Sequence, residues 1–267
     1  MDHPLVSVII PAGPGVCRED SPAFPWLLES VATAVHQAAP AEALGRPREE
    51  WLQIIVAVEM AGGNNPDLLS DMPVTVVPEL TGALGPARNA AAKVATGDWI
   101  AFLDADDRWN DDKTARQLAA VAEAEKRSTG ASVAVVYSQV RTINAYGEVQ
   151  NPDVRWGRPL RGLPDLIQDN RVPLSTAMIR REVFNRLGGF DPQNAVGAED
   201  YELWLMVAAA GGWFLYIPDT LASYRVHPNQ LSADPLKMAQ AVSFVLRRAW
   251  LRTLRGTNWG LEQMTWV

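Results

Sequence analysis

Four short apolar runs, rich in β-branched residues and each closed by a loop, set the terms for the first part of the chain. They are residues 5–10 (LVSVII), 52–58 (LQIIVAV), 74–77 (VTVV) and 99–103 (WIAFL). The first two, continuous and without polar alternation, read as buried strands; 74–77 reads as a short third strand and 99–103 as a fourth, apolar one. Between the runs lie helical patterns. Residues 26–37 (WLLESVATAVHQ) carry Leu27, Val31 and Val35 four apart on one face, as an amphipathic helix requires. A second helix is expected from Gly85-Pro86 to about Ala95, because proline suits a first helical turn; Gly97 ends it. Strands alternating with helices predict a mostly parallel sheet covered on both faces. Ligands of such sheets bind beyond the carboxyl ends of the strands.

The fourth run leads straight into Asp104-Ala105-Asp106-Asp107. If the chain stays extended, Asp104 and Asp106 project to the same side. Paired carboxylates offer hard oxygen donors to Mg²⁺ or Mn²⁺ and leave coordination positions for phosphate oxygens. An acidic triplet reads equally as a solvated loop in which Asp107 or Asn110 caps the next helix. Its place after a buried strand favours a site.

The rest of the chain is less regular. Residues 111–126 read as a helix, 132–140 (SVAVVYSQV) as a strand, and 144–173 as an Arg-, Gly- and Pro-rich connection. A strand at 175–179, a short helix to Leu187, a turn at Gly188-Gly189, a helix at 198–210 and a short strand at 213–217 follow. Residues 236–254 form an amphipathic helix, with Arg248, Arg252 and Arg255 on one face and Val242, Leu246, Trp250 and Leu254 opposite. That helix reads as packed on the core with its basic face in water, or as lying on a membrane surface.

Composition removes several classes of function. The net charge of −7 argues against nucleic acid as a principal partner, since polyanion binding draws on clustered Lys and Arg. The single cysteine, Cys17, excludes an intrachain disulfide and points to a reducing cytoplasm. No segment approaches the ~20 uninterrupted apolar residues that span a bilayer. The opening MDHPLVSVII has no basic region or cleavage site, so it does not read as a signal peptide. The expectation is a cytoplasmic protein.

Three other positions carry chemistry. Glu199-Asp200 opens a helix, where the macrodipole favours negative charge; a carboxylate there serves as a helix start or as a general base. Arg88 on the first turns of its helix makes an anion site or a surface arginine. His227, in Tyr224-Arg225-Val226-His227-Pro228, is a structural histidine or a ligand to metal or phosphate.

Taken in order, these segments resemble a family 2 glycosyltransferase of the GT-A fold, over about residues 5–232. VSVIIPA resembles the family's opening strand and LLESVATAVHQ its first helix. GALGPARNAAAKVATGDWIAFLDADDRW resembles its most recognisable stretch, and TAMIRREVFNRLGGFDP, AEDYELWLMVA and YIPDTLASYRVHPNQLS follow in the expected order. The resemblance implies an α/β, Rossmann-like sheet flanked by helices. It sets a catalytic domain at 1–232, with about 1–110 as the nucleotide-binding half and about 111–232 as the acceptor half. A helical extension at 233–267 would follow.

The activity implied is metal-dependent, inverting transfer from a nucleoside-diphosphate sugar to a hydroxyl of a glycan or glycolipid. A UDP-sugar is favoured, with GDP- and dTDP-sugars as alternatives. Asp106 would hold Mn²⁺ or Mg²⁺, with Asp104 on the ribose or on the metal's water shell and His227 as a further contact. Asp200 would be the base. Pro11, Ala12, Glu59, Arg88, Ala105 and Glu199 would line the nucleotide-sugar site, and the protein would work in the cytoplasm or at the inner face of the membrane.

Two departures stand out. Gly13-Pro14-Gly15 replaces the family's aromatic-Asn pair, and Ala57-Val58-Glu59-Met60-Ala61 replaces two aspartates followed by Gly-Ser. Glu59 falls on the base-reading position. The altered motif also admits a relative that binds a nucleotide or glycan without turnover. A nucleotidyltransferase is disfavoured, because no Gly-rich, Lys- or Arg-bearing phosphate loop follows the first strand.

Overall fold

The computed structural model describes residues 5–254 apart from positions 44, 61, 151–155, 195, 196 and 229. The first half runs β1 (Val6–Ala12), α1 (Phe24–Val35), β2 (Leu52–Glu59), β3 (Thr75–Glu79), α2 (Leu84–Val94) and β4 (Trp99–Phe102). The second half runs β5 (Arg108–Trp109), α3 (Lys113–Arg127), β6 (Val133–Ile143), α4 (Leu163–Gln168), β7 (Met178–Arg180), α5 (Arg181–Leu187), α6 (Glu199–Ala209), β8 (Trp213–Arg225) and α7 (Pro235–Leu254).

The strands form one sheet in the order β3-β2-β1-β4-β7-β6-β8-β5. Neighbours among β3, β2, β1 and β4 are parallel, as the alternating pattern predicts. Beyond β4 the sheet is mixed. β7 runs antiparallel to both β4 and β6, β6 and β8 are parallel, and β5 is antiparallel to β8.

Every residue of β1 is buried, and its alternating side chains feed two cores. Val6, Val8 and Ile10 meet Leu27 and Val31 of α1 and Leu118 and Val121 of α3. Ile9 faces the other way, towards Ala87 and Ala91 of α2, Phe184 of α5 and Trp204 of α6. That second core is knitted by edge-on and tilted rings, with Phe102 5.3 Å from Phe190 and 6.5 Å from Trp204. Helices on both faces keep the carboxyl ends of β1, β2 and β4 together at one rim.

Three expectations need correction. Residues 174–176 form a 3₁₀ turn, closed by Thr176 and Ala177 N–H bonds to the carbonyls of Pro173 and Leu174, and only Met178–Arg180 pairs as a strand. The last strand is much longer than 213–217. It continues along β6 to Arg225, with the register jumping from Ser138↔Ile217 to Gln139↔Thr220. The bulge takes up Pro218, which has no N–H for a regular ladder.

The faces of α7 are also not as expected. Val242, Val245 and Leu246 pack into the second core, but Arg248 turns inward and pairs with Asp191 and Glu202. Trp250 is 63% exposed. Two carboxylates remote in sequence, Glu202 buried and Asp191 partly so, outweigh the helix's own polarity pattern. The side chain of Arg252 and all of Arg255 lie outside the described residues.

Candidate active site

The acidic turn grows out of the sheet. Leu103 N–H still bonds Ile9 C=O (3.1 Å), so Asp104 emerges beside the end of β1. Asp107 N–H then bonds Asp104 C=O (3.1 Å), which bends the chain into a turn rather than an extended run. Asp107 is fully buried and is not a helix cap; the residue before α3 is Asp112, whose side chain makes no capping bond, and the Gln37 side-chain oxygen accepts the first-turn N–H of Thr114 instead (3.0 Å). Instead Asp107 Oδ2 accepts from the Ser175 hydroxyl (2.5 Å) and Oδ1 from Arg225 N–H (2.9 Å). Ser175 Oγ in turn accepts Asp104 N–H (3.1 Å). Burial, then the charges of Asp106 and Asp104, push the Asp107 carboxyl well above its ordinary pKa.

The other two carboxylates face different partners. Asp106 Oδ2 lies 2.9 Å from His227 Nε2. Burial and the neighbouring Asp104 raise the Asp106 pKa, against the lowering effect of His227. Asp104 Oδ1 accepts from Arg88 Nη2 at 2.6 Å. Arg88 is 1% exposed, and its Nη1 pairs with Glu199. Burial opposes its charge, but Asp104 and Glu199 outweigh burial and raise its pKa.

Glu199 and Asp200 stand on the first turn of α6, next to α2. A Cβ on Gly85 would lie 3.5 Å from Glu199 Cγ, so the two helix starts pack directly together. The residue before α6, Ala198, has φ of 55°, alone among the described non-glycine residues in taking a positive φ. Strain of this kind clusters at functional sites. Asp200 Oδ2 accepts from Asn170 Nδ2 (3.1 Å). Burial and Glu199 push its carboxyl up to about 6, the range of a general base working near neutrality.

Glu59 ends β2, in register with Glu79 of β3, and is 1% exposed. Its Oε2 accepts Gly62 N–H (3.1 Å). Asn64 Nδ2 bonds both Glu59 C=O (2.7 Å) and Gly13 C=O (2.9 Å), and Asn64 Oδ1 accepts Cys17 N–H (2.8 Å). A Cβ on Gly62 would sit 2.6 Å from Pro14 Cα and from Gly15 N. The two unusual segments therefore pack on each other, and the close approach of Pro14 and Gly15 leaves no room for a side chain at position 62. Cys17 is buried in this junction, and burial raises its thiol pKa. Pro11 and Ala12 lie at the same rim, in register with Ala57 and Val58.

The sequence reading missed Arg225, Asn170 and Ser175. Arg225 stood two residues before the histidine it did single out. Asn170 and Ser175 sit in or beside the irregular connection, where no local pattern marks them.

Asp106 and His227 supply one oxygen and one nitrogen donor at a common point, with Asp104 beside them. Among the described residues no group of three or more His, Cys, Asp or Glu side chains is gathered as a closed cage. An open site of few protein donors suits a divalent cation whose other positions are taken by phosphate oxygens. The like-charge pressure of Asp104 on Asp106 is what a bound cation would relieve.

An α/β sheet with helices on both faces and an acidic turn after its fourth strand has the architecture of a GT-A glycosyltransferase. The mannosyltransferase PcManGT from Pyrobaculum calidifontis, solved with GDP-Man and Mn²⁺, superposes with a TM-score of 0.61 at 21% identity over 92% of this chain. The chain spans 64% of that protein's solved chain. The model of the family described as glycosyltransferase-like family 2 matches residues 64–258, and the chain belongs to that family.

Curated relatives carry glycosyltransferase names. TuaG of Bacillus subtilis (strain 168), named for teichuronic acid biosynthesis, is 27% identical over 91% of this chain and 88% of its own length. WfaP of Escherichia coli, named as a UDP-Glc:α-D-GlcNAc-diphosphoundecaprenol β-1,3-glucosyltransferase, is 29% identical over 62% of this chain and 60% of its own.

Proposed function

We propose that the chain transfers a sugar from a nucleoside-diphosphate sugar to a hydroxyl of a growing glycan or glycolipid, with inversion and with a divalent cation, Mn²⁺ or Mg²⁺. One observation carries the reading. Buried Arg88 bonds Asp104 of the acidic turn on one side and Glu199, next to Asp200, on the other. It thus ties Asp104, on the proposed donor side, to the first turn of α6, which carries the proposed base Asp200.

Asp106 and His227 would hold the cation, with Asp104 beside them on its water shell or on the ribose. The cation, when bound, would neutralise charge on the departing diphosphate. Pro11, Ala12, Glu59, Arg88, Ala105 and Glu199 would border the nucleotide sugar. Asp200, kept basic enough by burial and oriented by Asn170, would take the proton of the acceptor hydroxyl as its oxygen attacks the anomeric carbon from the face opposite the leaving group. A single displacement of that kind inverts the anomeric centre.

The relatives' names support a role in polysaccharide or glycolipid assembly, and the donor named for WfaP favours a UDP-sugar. No helix among the described residues is long and apolar enough to cross a membrane. A lipid-linked acceptor would be met at the membrane's inner face. The assignment of 1–232 to catalysis and 233–267 to an extension belongs to the same reading.

Two variants test it. Asp106→Ala is expected to abolish Mn²⁺-dependent nucleotide binding. Asp200→Asn is expected to bind donor normally and lose transfer. Calorimetry showing cation-independent binding that Asp106→Ala leaves intact would remove the metal assignment, and full transfer by Asp200→Asn would remove the base.

A further inference from the structure

We infer that Arg225 is a positioning residue for the cation and diphosphate site: its guanidinium pins the acidic turn so that Asp106 faces His227. The inference rests on the proposed role of Asp106. Arg225 ends β8 and is 1% exposed, yet it is bonded on every side. Its backbone N–H donates to Asp107 Oδ1 (2.9 Å) and its Nε–H to Asp106 C=O (2.7 Å). Nη1 donates to the carbonyls of Asn144 (3.2 Å) and Ala145 (3.1 Å), and Nη2 to Glu29 Oε2 (2.5 Å). One side chain therefore joins β8, the acidic turn, the connection after β6, and α1.

The arrangement around Asp106 is a clamp with two jaws. Arg225 holds its main-chain carbonyl, and His227, two residues further along, meets its carboxylate at 2.9 Å. Trp26 completes the frame: its ring lies 5.3 Å from the Arg225 guanidinium carbon and 4.8 Å from the His227 ring, and its Nε1–H bonds Ala145 C=O (3.2 Å). Glu29 is fixed from its other oxygen by Arg108 Nη2 (2.7 Å). Only a planar fork of donors spans these acceptors at once, which an ammonium cannot do.

A buried positive charge beside a cation site is electrostatically unfavourable for the cation, and this gives the proposal a sign. If Arg225 acted through charge alone, removing it would tighten Mn²⁺ binding. If it acts by position, removing it loosens binding, because residues that orient metal ligands typically contribute about 10- to 100-fold in affinity.

The experiment measures Mn²⁺ binding to the full chain, with UDP present, from the free-Mn²⁺ paramagnetic resonance signal. It compares wild type with Arg225→Gln, Arg225→Lys, Glu29→Gln and Asp106→Ala. Both Arg225 variants are expected to weaken Mn²⁺ by about tenfold or more while melting cooperatively, and Glu29→Gln, which keeps an acceptor oxygen in place, to weaken it by a few-fold. Unchanged or tighter binding in the Arg225 variants, with binding lost in Asp106→Ala, overturns the inference. Binding that persists in Asp106→Ala overturns the functional reading instead. Should the Arg225 variants not fold, Glu29→Gln decides alone, and wild-type affinity there overturns the inference.

Discussion

Replacing Glu199 by Gln isolates what tunes the proposed base, Asp200. The Asp200 carboxyl is pushed up to about 6, first by burial and then by the charge of Glu199, while Arg88 pulls it down. Glu199→Gln removes the nearest negative charge and leaves Arg88 less compensated, so both changes lower the Asp200 pKa. Burial remains, so the value stays above the ordinary aspartate value of about 3.9. With a pKa of about 6, about a tenth of the base is ionised at about pH 5; with a pKa about one unit lower, about half would be. Turnover at about pH 5 relative to about pH 7.5 should rise from roughly 0.1 to roughly 0.5.

The stability linkage has the same origin. A carboxyl with a raised folded-state pKa contributes stability that is fully present below about 3.9 and lost as pH rises through about 6. That loss should shrink in the variant. The assay is nucleoside diphosphate release at saturating donor across the acid limb, with thermal melts as a control on folding. An acid limb that stays in place, or moves to higher pH, would refute the assignment of the limb to Asp200 under the influence of Glu199.

Two further outcomes follow from buried charge elsewhere. Arg248→Ala removes an ion-pair partner from Asp191 and from Glu202, whose side chain is 1% exposed and which keeps the Asn194 amide at 2.9 Å. Breaking a buried pair costs about 3–5 kcal/mol, and the lower end is expected because Arg248 is partly solvated. A fall in Tm of roughly 6–12 °C should follow, and a fall under about 2 °C would mean that α7 is not anchored there. Lys113 is fully buried, donates to Gln117 Oε1 (2.7 Å) and lies 4.0 Å above the Trp109 ring, and burial pushes its pKa well below the ordinary value. The unfolded lysine keeps its proton to about pH 10.4, so the site costs more stability as pH falls below that value. Lys113→Met should hold or raise the Tm near neutral pH and flatten its dependence on pH; a large fall would show that the amine has a partner worth more than its desolvation.

Much of the first half of the chain was legible because its signals are local. A run such as LVSVII must be buried on both faces, and Gly85-Pro86 opens α2 by its own conformational preference. The acidic turn could be placed at a strand end for the same reason. What escaped depends on partners far away in sequence. β5 is only Arg108–Trp109 and exists because β8 reaches past Pro218 to pair with it. Asp107 has the composition of a helix cap, but Ser175 and Arg225 claim both its oxygens. α7 offered two polar readings of one wheel, and Asp191 and Glu202 chose the face that sequence had assigned to water. Gly13-Pro14-Gly15 departs from the family pattern in sequence, and its packing against Gly62 depends on a loop about 50 residues away.

The central claim is that the acidic turn holds a diphosphate through a cation. Its most direct test is the melting temperature of the chain with UDP, GDP or dTDP, each with and without Mn²⁺. A ligand at about 100 times its Kd that binds only the folded chain adds about 2.7 kcal/mol, a rise of roughly 5–10 °C for a chain of this size. The account predicts that rise for at least one nucleotide, only with Mn²⁺ present, and its loss in Asp106→Ala. No rise with any nucleotide, or a rise indifferent to both Mn²⁺ and Asp106, would contradict it.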